Sequence, residues 1–275
     1  MISLDQGGRA RASARAFRVD GPAAALAESA WMLGPVAVPV AGAPSWRVVP
    51  DVHPHLIVAA LPGGRIRACL VGARSRWADV DQHGRAWTVG VRLRPGAIPV
   101  LTGGPAAALT DRSLPLVDVL DDGDGRLGAR LDALRSTDGP EDPGAPDHPS
   151  VRALGILLDA LARRGAGASV DWKARGFLAL ASGRPGRPVR EVADHLGVAS
   201  RTLRAVGRDH LGLPPKHALR VLRIQRALAL GLGPEAPVGS RVAHASGFAD
   251  QAHFVRECRD LVGETPGAFH ARGRD

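Results

Sequence analysis

The stretch VGSRVAHASGFADQAHFVRECR, residues 238–259, decides the fold of the C-terminal part of the chain. Val242 and Ala243 place apolar side chains on one helical face, and Gly247 follows them where a helix would end. A second helical segment then runs from Asp250 to Arg259. Two short helices separated by a glycine turn are typical of a helix-turn-helix unit, whose second helix enters the major groove of DNA.

The same pattern occurs fifty residues earlier, so the unit is an internal repeat. The two copies align as Val192-Ala193-x-x-Leu196-Gly197-Val198 and Val242-Ala243-x-x-Ser246-Gly247-Phe248. Between them, helical periodicity extends from Pro215 to about Leu230. At ~1.5 Å per residue, a helix over that range spans roughly 24 Å. With its flanks, it would hold two reading heads about one DNA turn apart, near ~34 Å.

Long polar side chains lie on the predicted outward face of both second helices, opposite apolar residues such as Leu203 and Val206. The residues expected to contact DNA are Ser200, Arg201, Arg204, Arg208, Gln251, His253, Arg256 and Arg259. Arginine can hold guanine, and glutamine adenine, by paired hydrogen bonds, so Arg201, Arg204, Gln251 and Arg256 are the expected base readers. Arg208 and Arg259 are expected to hold phosphates. Ser200 or Ala199 is expected at the start of the first recognition helix, where Ser200 would cap it. His253 is expected to contact phosphate or to pack at the start of the second recognition helix.

The C-terminal region resembles the DNA-binding module of AraC/XylS-type transcriptional regulators over residues 186–270. The matching positions are Gly247-Phe248-Ala249-Asp250-Gln251-Ala252-His253-Phe254, Arg256, Arg259, Gly263, Thr265-Pro266 and Phe269, with Leu211-Gly212-Leu213-Pro214-Pro215-Lys216 and Arg220, Arg223 and Arg226 upstream. The resemblance implies two helix-turn-helix units that bind adjacent major grooves.

Three positions depart from the residues usual in that family. Gly207 stands where the family usually has phenylalanine, Cys258 occupies another aromatic position, and Ala199 replaces a serine. A glycine inside a helix costs about 1 kcal/mol relative to alanine. The departure predicts a hole at position 207, which a phenylalanine would fill with a gain in stability.

The first 136 residues have a different character, with short apolar or alternating segments separated by glycine and proline turns. The predicted strands are Trp46–Val49, Leu56–Ala60, Ala68–Val71 and Trp87–Leu93, and a helix is predicted from about Gly125 to Arg135. Gly90-Val91-Arg92-Leu93-Arg94-Pro95-Gly96-Ala97, with Trp31, Val49-Pro50-Asp51 and Leu109-Thr110-Asp111, resembles a β-rich domain that precedes the module in one branch of these regulators.

The predicted fold class is therefore α+β and multidomain. It combines an N-terminal β-rich domain, cupin-like or half-barrel, with a C-terminal all-α domain of two helix-turn-helix units joined by a long helix. The predicted boundaries are a basic flexible tail over 1–20, a β-rich sensor or assembly domain over 21–136, a linker over 137–149, a helical connector over 150–182 and the DNA-binding domain over 183–275. Proline and glycine mark the two breaks.

Composition narrows the functional classes. The 275 residues carry a formal net charge of +9, most of it in the last third of the chain, which is typical either of a solubilising surface or of a protein with a polyanionic partner such as nucleic acid. The longest apolar stretch, Pro22 to Pro44, is interrupted by Glu28 and prolines, so no membrane span is predicted. Two distant cysteines, Cys69 and Cys258, suit a reducing compartment, and a cytoplasmic protein is expected.

One other motif supports a competing interpretation. His53-Pro54-His55 resembles the paired histidines of metal-binding cupins, but no glutamate follows, and a solvated turn is the expectation. Arg92 and Arg94 alternate with apolar residues and point either to solvent, which is the expectation, or into a cavity of the β-rich domain. The alternative is a cupin-like metal-dependent enzyme that a helical module tethers to DNA; metal content and turnover would separate the two.

The favoured interpretation is a sequence-specific DNA-binding transcriptional regulator, not an enzyme, with no cofactor or metal. Its N-terminal domain would sense an unidentified effector or mediate assembly. Double-stranded DNA is the expected partner. RNA polymerase, a small-molecule effector and a second copy of the chain are the further partners that this interpretation admits, and no membrane contact is expected.

Overall fold

The computed structural model describes residues 14–34, 46–81, 85–120, 123, 125–135, 145–231 and 239–272. Its strands are β1 (Ala14–Arg18), β2 (Ala27–Leu33), β3 (Trp46–Val48), β4 (His55–Ala60), β5 (Ile66–Val71), β6 (Ala78–Val80), β7 (Trp87–Leu93) and β8 (Ser113–Pro115). Six of them form one antiparallel sheet in the order β1-β2-β7-β4-β5-β8. The other two, β3 and β6, pair separately as a ribbon.

The helices are α1 (Ala97–Thr102), α2 (Val117–Leu120), α3 (Arg126–Asp132), α4 (Pro149–Gly165), α5 (Trp172–Gly183), α6 (Val189–His195), α7 (Ser200–Val206), α8 (Pro215–Leu230), α9 (Gly239–Ala245), α10 (Gln251–Val262) and α11 (Pro266–Arg272). The β-rich domain and the helical C-terminal region are as predicted. Helix α8 covers the predicted range Pro215 to Leu230, because its apolar residues recur on one face and two prolines begin it.

Strand alternation gives the large sheet two different faces. Side chains such as Val58, Val89 and Leu93 point to one face and pack with Leu157 and Leu161 of α4 in the first core. The residues between them point to the opposite face, towards the ribbon. The sheet is therefore buried against helices on one side only.

The structure corrects the predicted N-terminal tail. The segment Ala14–Arg18, expected to be part of a flexible tail, is strand β1, whose backbone pairs with Ser29–Leu33 of β2. Backbone pairing requires no buried side chains, and Phe17 is indeed exposed, so the apolar pattern gave no signal. The sequence pattern does not predict strand β2 either, because this strand lies inside a long apolar stretch without alternation. Residues 1–13 of the predicted tail, and residues 137–144 of the predicted linker, lie outside the described residues.

Each helix-turn-helix unit has its own core. The second core contains Val192 and Leu203 of the first unit together with Phe177 of α5. The third contains Phe254 and Cys258 of the second unit. Helix α4 thus packs with the sheet and α5 with the first unit, so the segment 150–182 is shared between the two halves of the molecule.

The predicted hole at Gly207 does not exist. Gly207 is buried and begins a π-helical turn, Gly207–Leu211, directly after α7. A Cβ atom there would lie 2.6 Å from Cδ of Pro215 and 2.7 Å from the carbonyl oxygen of Leu213. The returning chain fills the space, so phenylalanine cannot occupy this position without displacing α8.

Candidate nucleic-acid interface

The first unit presents α7 with an apolar inner face and a basic outer face. Leu203 and Val206 are buried, whereas Arg201, Arg204 and Arg208 are exposed, as the spacing predicts. Gly197, with a φ of 64°, forms the turn between α6 and α7. This arrangement leaves one side of α7 open along its whole length.

The predicted cap by Ser200 is wrong. Ala199 is the N-cap residue of α7 and has no side-chain hydrogen bond to the helix, while Ser200 is the first helical residue. Alanine has no oxygen to accept from the free N–H groups of the first turn. Ser200 stays exposed at the N-terminal end of α7, which leaves its hydroxyl open to contact a phosphate.

The second unit presents α10 in the same way, and α10, unlike α7, has a side-chain cap at its N-terminus. The Asp250 carboxylate caps α10 by accepting a hydrogen bond of 2.7 Å from the His253 N–H. Gln251, Arg256 and Arg259 are exposed, while Phe254 is buried. The cap and the buried ring fix the helix, so the three polar side chains project from a rigid support.

His253 lies partly inside the second unit. Its ring packs edge-on against Phe248 with centroids 5.4 Å apart, and its Nδ1 accepts from the Ala249 N–H at 3.4 Å. Of the two roles predicted for His253, these contacts favour packing over a phosphate contact.

Four arginines of the outer faces are uncompensated. Within residues 145–231 and 239–272, Arg201, Arg204, Arg256 and Arg259 form no ion pair. Arg208 differs, because its guanidinium pairs with Asp209 at 2.7 Å and 3.0 Å, and this pairing raises the pKa of Arg208. Unpaired guanidinium groups on both recognition helices form the surface that a DNA phosphate backbone or base edge would meet.

The arginines of α8 have structural roles. Arg220 bridges α8 to α10 through Glu257, with nitrogen–oxygen distances of 2.8 Å and 3.0 Å. Arg223 lies over the Phe248 ring at 5.6 Å. Arg226 donates to the carbonyl oxygens of Ala245 and Ser182. These contacts orient the second unit relative to the first.

Cys258 occupies the aromatic position of the related family as a buried core residue. Burial raises the pKa of its thiol to about 12, and the nearby Glu264 carboxylate acts in the same direction. A neutral buried thiol packs as a small apolar group. Cys258 therefore supports α10 by packing, and its buried thiol is not an accessible nucleophile.

The N-terminal domain holds the second unit through the ribbon. The backbone N–H of Trp77 donates to the Leu261 carbonyl oxygen of α10 at 2.9 Å, and the Trp77 ring packs against Gly263 at the end of that helix. Arg47 lies over the Trp77 ring at 4.0 Å and approaches Glu264 at 3.6 Å. The sequence pattern gave no signal for these contacts, because they join residues almost two hundred positions apart.

The first unit is held at the corresponding place. The Gly96 N–H donates to the His210 carbonyl oxygen at 2.8 Å, and the Thr110 hydroxyl donates to the Gly212 carbonyl oxygen. The ring of His217 in α8 contacts the Ser75 carbonyl oxygen at 2.7 Å. Both recognition helices therefore have the N-terminal domain attached at or just beyond their C-terminal ends.

The predicted solvated turn at His53 and His55 is wrong. Both side chains are buried, and both contact Asp51, with His53 Nδ1 at 2.8 Å and His55 Nε2 at 3.3 Å. Arg92 is half-buried and also reaches His53 and Asp51. A carboxylate between two histidines and an arginine can be buried because its charge is compensated. The solvent expectation for Arg92 is therefore wrong, and Arg94 likewise turns inward and donates to the Ala24 carbonyl oxygen at 2.8 Å.

The same cluster bears on the metal-enzyme alternative. Across the described part of the chain, no group of three His, Cys, Asp or Glu side chains could hold a metal ion. The Asp51 carboxylate is instead engaged by hydrogen bonds. Burial would raise the pKa of Asp51, but the His53 and His55 hydrogen bonds and the Arg92 charge lower it well below its ordinary value.

No helix in the described ranges is long and apolar enough to cross a membrane.

Two family models match the chain. Residues 192–272 match one described as a helix-turn-helix domain, and residues 24–115 match one described as a domain of unknown function, DUF6597. No curated protein sequence matches.

Solved structures of regulators resemble parts or most of the chain. A DNA-binding transcriptional dual regulator from Escherichia coli K-12 has 21% identity and a TM-score of 0.33, covering 37% of this chain and 91% of its own. A probable AraC family transcriptional regulator from Rhodopseudomonas palustris CGA009 has 24% identity and a TM-score of 0.33, covering 38% and 100%. ToxT from Vibrio cholerae O395, bound to (E)-4-(8-methylnaphthalen-1-yl)but-3-enoic acid, has 9% identity and a TM-score of 0.44, covering 95% and 99%.

The C-terminal match coincides with the two units built from α6 and α7 and from α9 and α10. Residues 192–272 are therefore a helix-turn-helix domain, and residues 24–115 are a domain of the DUF6597 family, whose function is unknown.

Proposed function

We propose that α7 and α10 read adjacent major grooves of one DNA duplex. Arg201 and Arg204 would contact bases from the first unit, and Gln251 and Arg256 from the second. The observation that carries this proposal is the row of exposed, uncompensated arginines on the outer faces of both helices.

The flanking polar residues would fix the register of the protein on the backbone. Arg259 is uncompensated and one turn beyond Arg256, which suits a phosphate contact. Arg208 would reach phosphate only by exchanging its Asp209 partner for it. Ser200 is exposed at the N-terminal end of α7, where its hydroxyl would contact a phosphate, whereas His253 would support the start of α10 by packing on Phe248.

In this proposal the chain acts in the cytoplasm as a regulator and not as an enzyme. The N-terminal domain senses a small molecule and controls how the two units engage DNA, through the contacts that attach it to both recognition helices. RNA polymerase and a second copy of the chain are proposed partners on the DNA.

Selection of bound sites from random duplexes tests the reading roles. Arg204→Ala and Arg256→Ala should each relax the preference at one base position and cost about 1–3 kcal/mol of binding free energy at the selected site. Arg152→Ala is the matched control, because it removes an exposed arginine from α4, away from both units. An unchanged site preference in both variants would contradict the proposal.

A salt series separates reading from general attraction. Affinity of the full chain for its selected site should fall by orders of magnitude between ~50 and ~200 mM salt if roughly six or more phosphates are neutralised. Arg259→Ala should reduce that slope by about one contact and leave the base preference intact.

A further inference from the structure

The second face of the sheet is the floor of a cavity of about 360 Å³, which lies between the sheet and the ribbon. Ligand pockets of small molecules measure roughly 300–1,000 Å³. The floor consists of side chains that alternate with the buried core residues, among them Trp31, Ile57, Cys69 and Thr88. Val48 and Val80 of the ribbon line the cavity from the other side.

The floor is shaped by one glycine. Gly90 of β7 pairs with Trp31 of β2, and a Cβ atom at Gly90 would lie 2.8 Å from Nε1 of the indole. The missing side chain lets the Trp31 ring lie flat against the sheet. The ring thereby offers an apolar surface to the cavity, and its buried Nε1 has no hydrogen-bond partner within the described ranges.

His55 supplies a second unpartnered polar atom. Its side chain is only 6% exposed, and it lines the cavity. Nε2 donates to Asp51 and leaves Nδ1 as an acceptor, which has no partner among the described residues. Burying such an atom without a partner is unfavourable, so a donor in the cavity would satisfy it.

The rim of the cavity is cationic. Arg67, Arg74 and Arg85 line it, and none of them forms an ion pair with a carboxylate in the described part of the chain. Arg67 contacts Cys69. Burial lowers the pKa of Arg85, and the like charge of Arg67 lowers it further. Two positive groups that line the same cavity favour an anion near both of them.

The acidic residues of the lining do not cancel this charge. Asp51 is engaged by His53, His55 and Arg92, and Asp79 is paired with Arg47 at 3.0 Å. Asp81 remains, and it faces Arg85. Three arginines therefore line the cavity against this one further carboxylate.

We propose that this cavity binds a small organic carboxylate with an apolar ring and a hydroxyl group, and that the ribbon transmits its binding to the second helix-turn-helix unit. The carboxylate would lie between Arg67 and Arg85, the ring against Trp31, and the hydroxyl would donate to His55 Nδ1. This inference rests on the proposed sensing function of the N-terminal domain.

The transmission follows from the position of the ribbon. Val48 and Val80 face the cavity, while the neighbouring Arg47 and Trp77 contact α10 and the residues just after it. A ligand that moves the ribbon must therefore change the support of a recognition helix. The same few residues connect the two sites.

Calorimetry on the full chain tests the ligand class with 4-hydroxybenzoate, benzoate, the neutral 4-hydroxybenzamide and inorganic phosphate. The wild type should bind 4-hydroxybenzoate most tightly, benzoate more weakly, and the amide and phosphate at least about tenfold more weakly. Arg85→Gln should lose about tenfold in affinity for 4-hydroxybenzoate, whereas the control Arg152→Gln should bind it as the wild type does. His55→Gln should reduce the preference for 4-hydroxybenzoate over benzoate.

The result that overturns the ligand class is absence of carboxylate binding, or equal binding of the amide or of phosphate. Binding of the unliganded Arg85→Gln variant to the selected DNA site should equal that of the wild type, because Arg85 lies in neither unit. Normal DNA binding without carboxylate binding therefore refutes this inference alone, whereas failure of the wild type to bind DNA refutes the proposed function.

A second measurement tests the ribbon. 4-Hydroxybenzoate should change the affinity of the wild type for DNA by about fivefold or more. Trp77→Leu should still bind the ligand but lose most of that change. Full retention of the change in Trp77→Leu, with unaltered ligand affinity, would overturn transmission through the ribbon.

Discussion

The backbone of Gly263 packs against the indole ring of Trp77, so closely that a Cβ atom at position 263 would lie 2.5 Å from Cε2 of the ring. Gly263 also has a φ of 83°, which ends α10 in the left-handed region. One glycine thus serves both the termination of a recognition helix and its attachment to the N-terminal domain.

Gly263→Ala should lower the free energy of unfolding by about 2–5 kcal/mol. The left-handed backbone costs about 1–2 kcal/mol for a residue with a Cβ, and the contact with Trp77 adds overpacking of about 1–3 kcal/mol. Urea unfolding measures the change. Gly103→Ala is the control, since Gly103 has a φ of 70° but nothing within 4 Å of its Cβ position. Equal losses in the two variants would mean that the Trp77 contact contributes nothing.

Gly207→Phe should lower the melting temperature, contrary to the expectation from family resemblance. The added atoms would collide with Pro215 and with the Leu213 carbonyl oxygen, and overpacking of this kind costs about 1–3 kcal/mol or more. Gly155→Ala in α4 provides the contrast, because nothing lies within 4 Å of its Cβ position. That variant should gain up to about 1 kcal/mol from helix propensity. A stabilised Gly207→Phe would contradict the described packing.

The sequence predicts those features of the molecule that depend on residues close together in the chain. The helix-turn-helix units are local, so residues 239–262 contain both helices, the turn and the buried face of the second unit. The outward position of Arg256 follows from the same period. Roles in reading DNA for these residues stay predictions.

The predictions that were wrong concern contacts between distant parts of the chain. The space at Gly207 is filled by Pro215, which returns after a turn, and no periodicity reports that. His53 is buried beside Asp51, whose charge Arg92 compensates. Arg92 is far along the chain but lies on β7, which neighbours β4 in the sheet. Burial of charge in a sheet is decided by which strands are neighbours, and the segment pattern does not give that order.

Stability should depend on pH through His55. Burial lowers the pKa of its imidazole, although its hydrogen bond to Asp51 opposes this. Unfolded histidine takes up a proton below about pH 6.5, while the folded protein resists it until lower pH. The unfolded state then binds more protons, so the free energy of unfolding decreases as the pH falls below about 6.5.

The lowered pKa of Asp51 adds a second decrease at more acidic pH. Its stabilising contribution is present above the unfolded value of about 3.9 and is lost as the pH falls through the lower folded value. Urea unfolding between pH 7.5 and pH 5 isolates the histidine part. His55→Gln should show a smaller decrease over that range than the wild type, and the exposed control His244→Gln the same decrease. Identical slopes in all three proteins would refute the assignment to His55.

The extent of the DNA-binding domain is open to a direct test with two fragments. A boundary at residue 183, drawn from the glycine and proline break, leaves α5 outside. Yet Phe177 of α5 is fully buried in the same core as Val192 and Leu203. Asp171 caps α5 by accepting from the N–H groups of Lys173 and Ala174.

A fragment of residues 168–275 should therefore fold, while residues 184–275 should be largely unfolded or less stable by about 3–5 kcal/mol, the cost of removing a buried phenylalanine from a core. Circular dichroism during urea unfolding measures both. Both fragments lack Val49, Val52 and Ala73, which the N-terminal domain contributes to the two cores, so the comparison isolates α5. Phe177→Ala in the longer fragment should reproduce most of the difference. Equal stability of the two fragments would mean that α5 belongs to the N-terminal domain, and that the first unit folds on its own apolar residues.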